Sequence, residues 1–192
     1  MTSIRTLVLG LAAAAVSTAA LAQAAPAPAP APAVPIIANP TYAVIPLEIM
    51  VNRPAADVWK RIGPYCAIGE WLRIPAGCKI LAGNETDVGS IRTVGAEVLV
   101  AATPMSYTYT QTPKVGVPYN MYHGTLEVRP VTATTSKIVY ILIFDNSMLA
   151  NDAARAADIA GRKSRFGQAM VDMKTLAEGG TLQPLPPPAP AR

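Results

Sequence analysis

The chain of 192 residues has one histidine, two cysteines, two phenylalanines and only 15% charged residues. Each shortage removes a class of function. One histidine and two cysteines cannot complete a tetrahedral metal set alone, so no metal site is expected. A serine-histidine-acid triad would have to use the lone His123. No run of basic residues is interleaved with aromatics, so the formal charge of +4 does not mark a nucleic-acid surface. Arg162, Lys163 and Arg165 cluster, but on a helix such a cluster is usually a solvated face. Gly161-Arg162-Lys163-Ser164 ends like a phosphate-binding loop without the upstream glycine spacing, and no cofactor is expected.

Proline is plentiful, with 19 residues, and is concentrated near the two ends. Arg5 precedes an apolar stretch from Leu7 to Ala20, and Ala20-Leu21-Ala22 has the small-x-small form that signal peptidase accepts. The stretch is short for a bilayer, which needs about 20 residues, and alanine inserts weakly. A cleaved leader is favoured over a membrane anchor. No cysteine follows the cleavage site, which argues against a lipid anchor. Residues 1–22 are therefore expected to be a signal peptide, 23–40 an Ala/Pro-rich linker, 41–180 the folded domain and 181–192 a Pro-rich, disordered tail. Losing Arg5 with the leader would take the charge from +4 to 4 − 1 = +3. The expected location is periplasmic or secreted, with no stable membrane anchor. There Cys66 and Cys78 are expected to pair, stabilising by about 3 kcal/mol in the chain-entropy model. The alternative is two free, buried thiols.

The remaining segment reads as one strand, two short helices, a run of strands and a final helix. Val44 to Val51 is apolar and β-branched. Pro54 suits the first turn of a helix that Asn52 or Arg53 precedes and Gly63-Pro64 ends. A second short helix spans Tyr65 to Leu72. Strands are expected over 78–81, 90–94, 97–101, 105–112, 121–129 and 137–145, with Gly95 at the tightest turn. No long helix separates these strands, so the sheet should be antiparallel. Asp152 to Glu178 lacks proline and repeats Ile159, Phe166, Met170, Met173 and Leu176 at helical spacing. Gly161 and Gly167 weaken that helix by about 1 kcal/mol each and would mark a bend or a close approach.

Strand parity sorts the candidate site residues. Met105, Tyr107, Tyr109 and Gln111 share one face, and the tyrosines should point inward. Tyr122, Gly124, Leu126 and Val128 separate from Met121, His123, Glu127 and Arg129, which sends the histidine outward unless a bulge at Gly124 resets the register. Arg92 and Glu97 fall on one face across the Gly95 turn and could form an ion pair. On the outer face that pair would be worth about 0 to 1 kcal/mol. On the inner face it would be costly to desolvate and suited to gripping a ligand or moving a proton. Parity leaves both orientations open. Lys137 to Asp145 is apolar on both faces, so both sides should be covered, one by the helix or cavity and the other by a second subunit in a homodimer. Trp59 and Trp71 read as core anchors, with Trp71 also placed to rim a cavity.

The order of Asn52-Arg53-Pro54-Ala55-Ala56-Asp57-Val58-Trp59, Trp71, Val88-Gly89-Ser90-Ile91-Arg92, Glu97-Val98-Leu99 and Tyr107-Thr108-Tyr109, followed by the closing helix, resembles the SRPBCC superfamily. That superfamily includes START lipid-transfer domains and polyketide cyclases. The resemblance spans Val44 to Glu178. It implies an α+β helix-grip fold, in which a curved antiparallel sheet of about seven strands wraps a long C-terminal helix around a ligand cavity. Two functions are consistent with it. One is an exported binding or carrier protein for a hydrophobic or aromatic small molecule, with Trp71, Arg92, Glu97, Leu99, Tyr107, Tyr109, Tyr122, Leu126, Phe166 and Met170 as candidate ligand contacts. The other is a cyclase/dehydrase-like or lyase-type enzyme, with Glu97 as base, Arg92 stabilising negative charge and a pocket tyrosine as acid.

Overall fold

A computed structural model describes residues 39–184, apart from 113 and 115. The expected leader, the linker up to residue 38 and the tail from residue 185 lie outside the described residues. Seven strands form one sheet: β1 (Tyr42–Val51), β2 (Ile80–Ala82), β3 (Ile91–Arg92), β4 (Glu97–Thr103), β5 (Ser106–Gln111), β6 (Asn120–Pro130) and β7 (Ser136–Asp145). Their order is β1-β7-β6-β5-β4-β3-β2, and every neighbouring pair is antiparallel. Short hairpin links account for the run from β2 to β7. The segment after β1 instead crosses the sheet through α1 (Ala55–Ile62), a 3-10 turn (Tyr65–Ala67) and α2 (Ile68–Trp71) to reach the opposite edge. The final helix, α3 (Asp152–Ala177), returns over the concave side. The architecture is the expected α+β helix-grip.

Local chemistry explains most boundaries. Pro54 itself occupies the N-cap of α1, and neither Asn52 nor Arg53 caps it through a side chain. The Asn52 backbone N–H donates to the Glu178 carboxylate at 2.9 Å, tying the start of α1 to the end of α3. Asn151 caps α3 by accepting from the Ala154 N–H at 2.9 Å, which satisfies one orphan donor of the first turn. Between β3 and β4 the chain reverses with φ of 64° at Gly95 and 50° at Ala96, conformations that glycine adopts without steric penalty. Cys66 and Cys78 form a disulfide that closes the loop bearing α2.

The core lies between α3 and the concave face, and its centre is aromatic. Tyr140 stacks on Phe166 at 5.1 Å and meets Trp71 edge-on at 5.9 Å. Tyr109 and Tyr140 share a hydrogen bond at 2.7 Å between their hydroxyls. Gly124 makes room for this arrangement, because a Cβ there would lie 2.4 Å from the Tyr109 ring.

Two expectations need correction. The amphipathic stripe is fully buried only from Phe166 onward; in the first half of α3 Ile159 packs half-buried against the core and no residue is fully buried. Gly161 and Gly167 mark no close approach to the sheet, since a Cβ at either meets nothing within 4 Å. On the outer face of β7 Val139 is buried, whereas Ile143 is 40% exposed in the single chain beside Val44 at 57%.

Candidate functional site

The two halves of α3 treat the concave face differently. Under the C-terminal half, Trp71, Tyr140, Phe166, Met170 and Met173 fill the interior. Beside the N-terminal half, an open cleft of about 520 Å³ remains. Ile68 and Leu72 from the α2 segment, Val94 from the β3–β4 turn, Tyr109 and Gln111 from β5, Tyr119 and Tyr122 around the start of β6, and Phe166 from α3 supply its walls. Glu97, Asp158, Arg162 and Arg165 contribute the charged groups, and the exposed Gly161 leaves its rim bare.

The polar floor is a relay running outward from the core. Arg92 and Glu97 are both buried on the concave side, which settles the orientation that parity left open. Arg92 Nε donates to Glu97 Oε2 at 2.7 Å, and Arg92 Nη1 donates to the Tyr65 carbonyl at 2.5 Å. Arg92 Nη2 lies 2.5 Å from Glu97 Oε2 but is not aligned for a hydrogen bond. The Arg92 guanidinium lies 4.1 Å from the Tyr65 ring and 4.6 Å from the Tyr109 ring, within cation-π range of both. Glu97 Oε1 accepts from Gln111 Nε2 at 2.9 Å, and Gln111 Oε1 accepts from the Tyr119 hydroxyl at 2.7 Å. The chain from Arg92 through Glu97 and Gln111 thus ends on a tyrosine at the cleft wall.

Burial sets the ionisation of these groups. It pushes the Glu97 carboxyl up from its ordinary value, and Arg92 and the Gln111 amide offset this only in part. For Arg92 burial opposes the charge, but Tyr107 and Glu97 more than compensate and the guanidinium stays protonated. Tyr122 is pushed up to about 12 by burial, and Tyr109 and Tyr140 are raised well above the ordinary phenol value for the same reason. At neutral pH these tyrosines are hydrogen-bonding hydroxyls rather than bases.

The ten candidate ligand contacts separate in space. Glu97, Tyr109, Tyr122 and Phe166 line the cleft. Leu99 and Tyr107 line a second groove of about 530 Å³ between the end of α1 and the β4–β5 hairpin, with Trp59 and Pro64. Trp71 is 1% exposed, so it is a core anchor, with one edge on a third groove next to Arg73 and Asp172. Arg92, Leu126 and Met170 line none of these three. His123 sits half-buried on the outer face, and the irregularity in β6 falls at Met121 rather than Gly124, so the downstream register stands.

Sequence reasoning missed Tyr119, Asp158 and Arg162. Arg162 was legible: it lies three residues after Ile159 and four before Phe166, inside the apolar stripe rather than opposite it. Tyr119 carried no such sign because it lies in the irregular segment between β5 and β6, where periodicity says nothing.

A seven-stranded antiparallel sheet gripping one long helix, with a cleft between them, defines a helix-grip protein. The model of the polyketide cyclase / dehydrase and lipid transport family matches residues 43–178, and the chain belongs to that family, within the SRPBCC superfamily. No curated protein matches it. Among solved structures, a protein of Thermobifida fusca is similar at 21% identity and a TM-score of 0.58, covering 73% of this chain and 97% of that one. A protein of Nitrosospira multiformis is similar at 20% identity and 0.52, covering 68% and 96%. The Zhui aromatase/cyclase of Streptomyces sp. R1128 is similar at 15% identity and 0.52, covering 73% and 100%. At these identities the likeness defines the fold alone.

Proposed function

We propose that this protein is an exported carrier that holds a small hydrophobic or aromatic molecule in the cleft beside the N-terminal half of α3. The observation that carries this reading is the convergence of four aromatic rings, Tyr109, Tyr119, Tyr122 and Phe166, on one space of about 520 Å³. Aromatic and aliphatic walls with polar and charged groups placed among them suit an amphipathic small molecule. Burying about 300 Å² of apolar ligand surface would contribute at most about 7 kcal/mol before association costs, so apolar contacts alone support micromolar binding. The family description, which includes lipid transport, is consistent with carriage. Export rests on the leader pattern at Ala20-Leu21-Ala22 and agrees with the Cys66–Cys78 disulfide. Among the described residues no helix is long and apolar enough to cross a membrane.

Catalysis is the second reading, favoured by one observation: Glu97 reaches the cleft with a carboxyl pKa raised by burial, as a general base requires. Against it, Arg92 is engaged by Glu97 and by the Tyr65 carbonyl and lines no part of the cleft. Native mass spectrometry of protein isolated from its own host tests the carrier reading. A co-purifying small molecule, released on denaturation, is expected. Protein that carries nothing and does not enhance the fluorescence of an apolar dye would remove this reading.

A further inference from the structure

We infer that the cleft takes an aromatic ligand bearing an anionic group, a carboxylate or an oxyanion of like shape, and that Arg162 and Arg165 receive that group. The inference rests on the cleft being the binding site.

Arg162 comes from the half of α3 that contributes no fully buried residue, yet its side chain is only 17% exposed. Three rings hold its guanidinium: Phe144 at 4.4 Å, Tyr119 at 4.7 Å and Tyr122 at 5.4 Å. Its acidic partner, Asp158, lies one helical turn earlier. Both oxygens of Asp158 accept from the same nitrogen, Nε, at 3.0 and 3.1 Å. The terminal pair, Nη1 and Nη2, therefore makes no hydrogen bond to any described residue, although it is the edge best shaped to grip a carboxylate with two parallel bonds. Stacking has already removed the rotational freedom that an arginine usually loses on binding, so the fork is preorganised.

The charge balance of the cleft points the same way. Glu97 is matched by Arg92 and Asp158 by Arg162. Arg165, three residues further along the helix, lines the same cleft, is exposed and forms no ion pair among the described residues. One positive charge is left over at the rim. A cationic ligand would add to that surplus, because both cleft carboxylates, Glu97 and Asp158, are already paired, and a neutral one would leave the Arg162 fork to water.

Calorimetric titration of the full chain with naphthalene carboxylate and with the uncharged naphthalene carboxamide tests this. The acid is expected to bind about tenfold tighter than the amide, as a charge-assisted hydrogen-bonded pair requires, with the preference shrinking at high salt. Arg162→Gln should abolish the preference, read as the ratio of acid to amide affinity within the variant, whatever the change in either affinity alone. Arg165→Gln, at an exposed position without partners, should fold normally and reduce the preference in part. It decides the matter should Arg162→Gln not fold. Equal affinity for acid and amide, or an undiminished preference in both folded variants, overturns the inference and leaves the carrier reading standing. Failure of both compounds to bind overturns the two together.

Discussion

Arg92 and Glu97 are direct cross-strand partners on either side of the Gly95 turn, and both side chains are sealed on the concave side of the sheet. Their contact places a neutralised charge pair at the cleft floor, with Glu97 lining it and Arg92 behind. Only one Glu97 oxygen is held by Arg92, so the other can orient Gln111 and, through it, Tyr119. A buried pair of this kind is poor evidence for stability as such, since desolvation costs about what attraction returns. What it supplies here is a defined polar point in an aromatic pocket.

Glu97→Gln should destabilise the fold by about 3 kcal/mol, because it leaves the Arg92 charge buried without a counter-charge. Replacing both residues, as Arg92→Met with Glu97→Leu, should recover most of that loss. Urea midpoints of the wild type and the two variants decide it. Equal destabilisation in the single and double variants would mean that side-chain shape, not charge, dominates the site.

The Tyr109–Tyr140 hydroxyl pair offers a second cycle. Tyr109→Phe or Tyr140→Phe each leaves one buried hydroxyl without its partner and should cost about 1 to 2 kcal/mol, whereas the double variant should cost less than the sum. Additive losses in chemical denaturation would show that the 2.7 Å contact contributes nothing specific.

Reducing the Cys66–Cys78 bond, or replacing both with serine, should lower stability by about 3 kcal/mol, since 12 residues of separation are freed in the unfolded chain. Dye or ligand affinity should fall as well, because the loop carries Ile68 and Leu72 of the cleft wall. Thermal melts with and without reductant that superimpose would refute the first part.

Stability should decline above about pH 10. Tyr109, Tyr122 and Tyr140 have folded pKa values raised by burial, Tyr122 to about 12. Above the ordinary phenol pKa the unfolded chain loses these protons while the folded protein keeps them. Their contribution is therefore complete below about pH 10 and drains away by up to about 1.4 kcal/mol per pH unit for each group. Tyrosinate absorbance that rises along with, not before, the loss of circular dichroism would confirm it. Ionisation of all seven tyrosines in the intact fold would contradict it.

Much of this was written locally. The alternation of Tyr107 and Tyr109 against Thr108 and Thr110, the proline at position 54, the turn at Gly95 and the apolar spacing from Phe166 to Leu176 each state a backbone preference that neighbouring residues enforce. Those preferences determined the number of strands, their antiparallel pairing, the closing helix and the inward side of β5 and β6. Where α3 would press against the sheet and where it would stand clear depended instead on residues far apart in the chain. Tyr140 of β7, Trp71 of α2 and Phe166 of α3 close the middle of the interior, while Gly161 and Arg162 keep the N-terminal end open. Likewise, parity put Arg92 and Glu97 together but could not say on which side, because period-two alternation is blind to which face the helix covers. Only packing decided that. Burial is a property of the assembled layers, and a strand with acceptable residues on both faces acquires an inside when a distant helix lands on one of them.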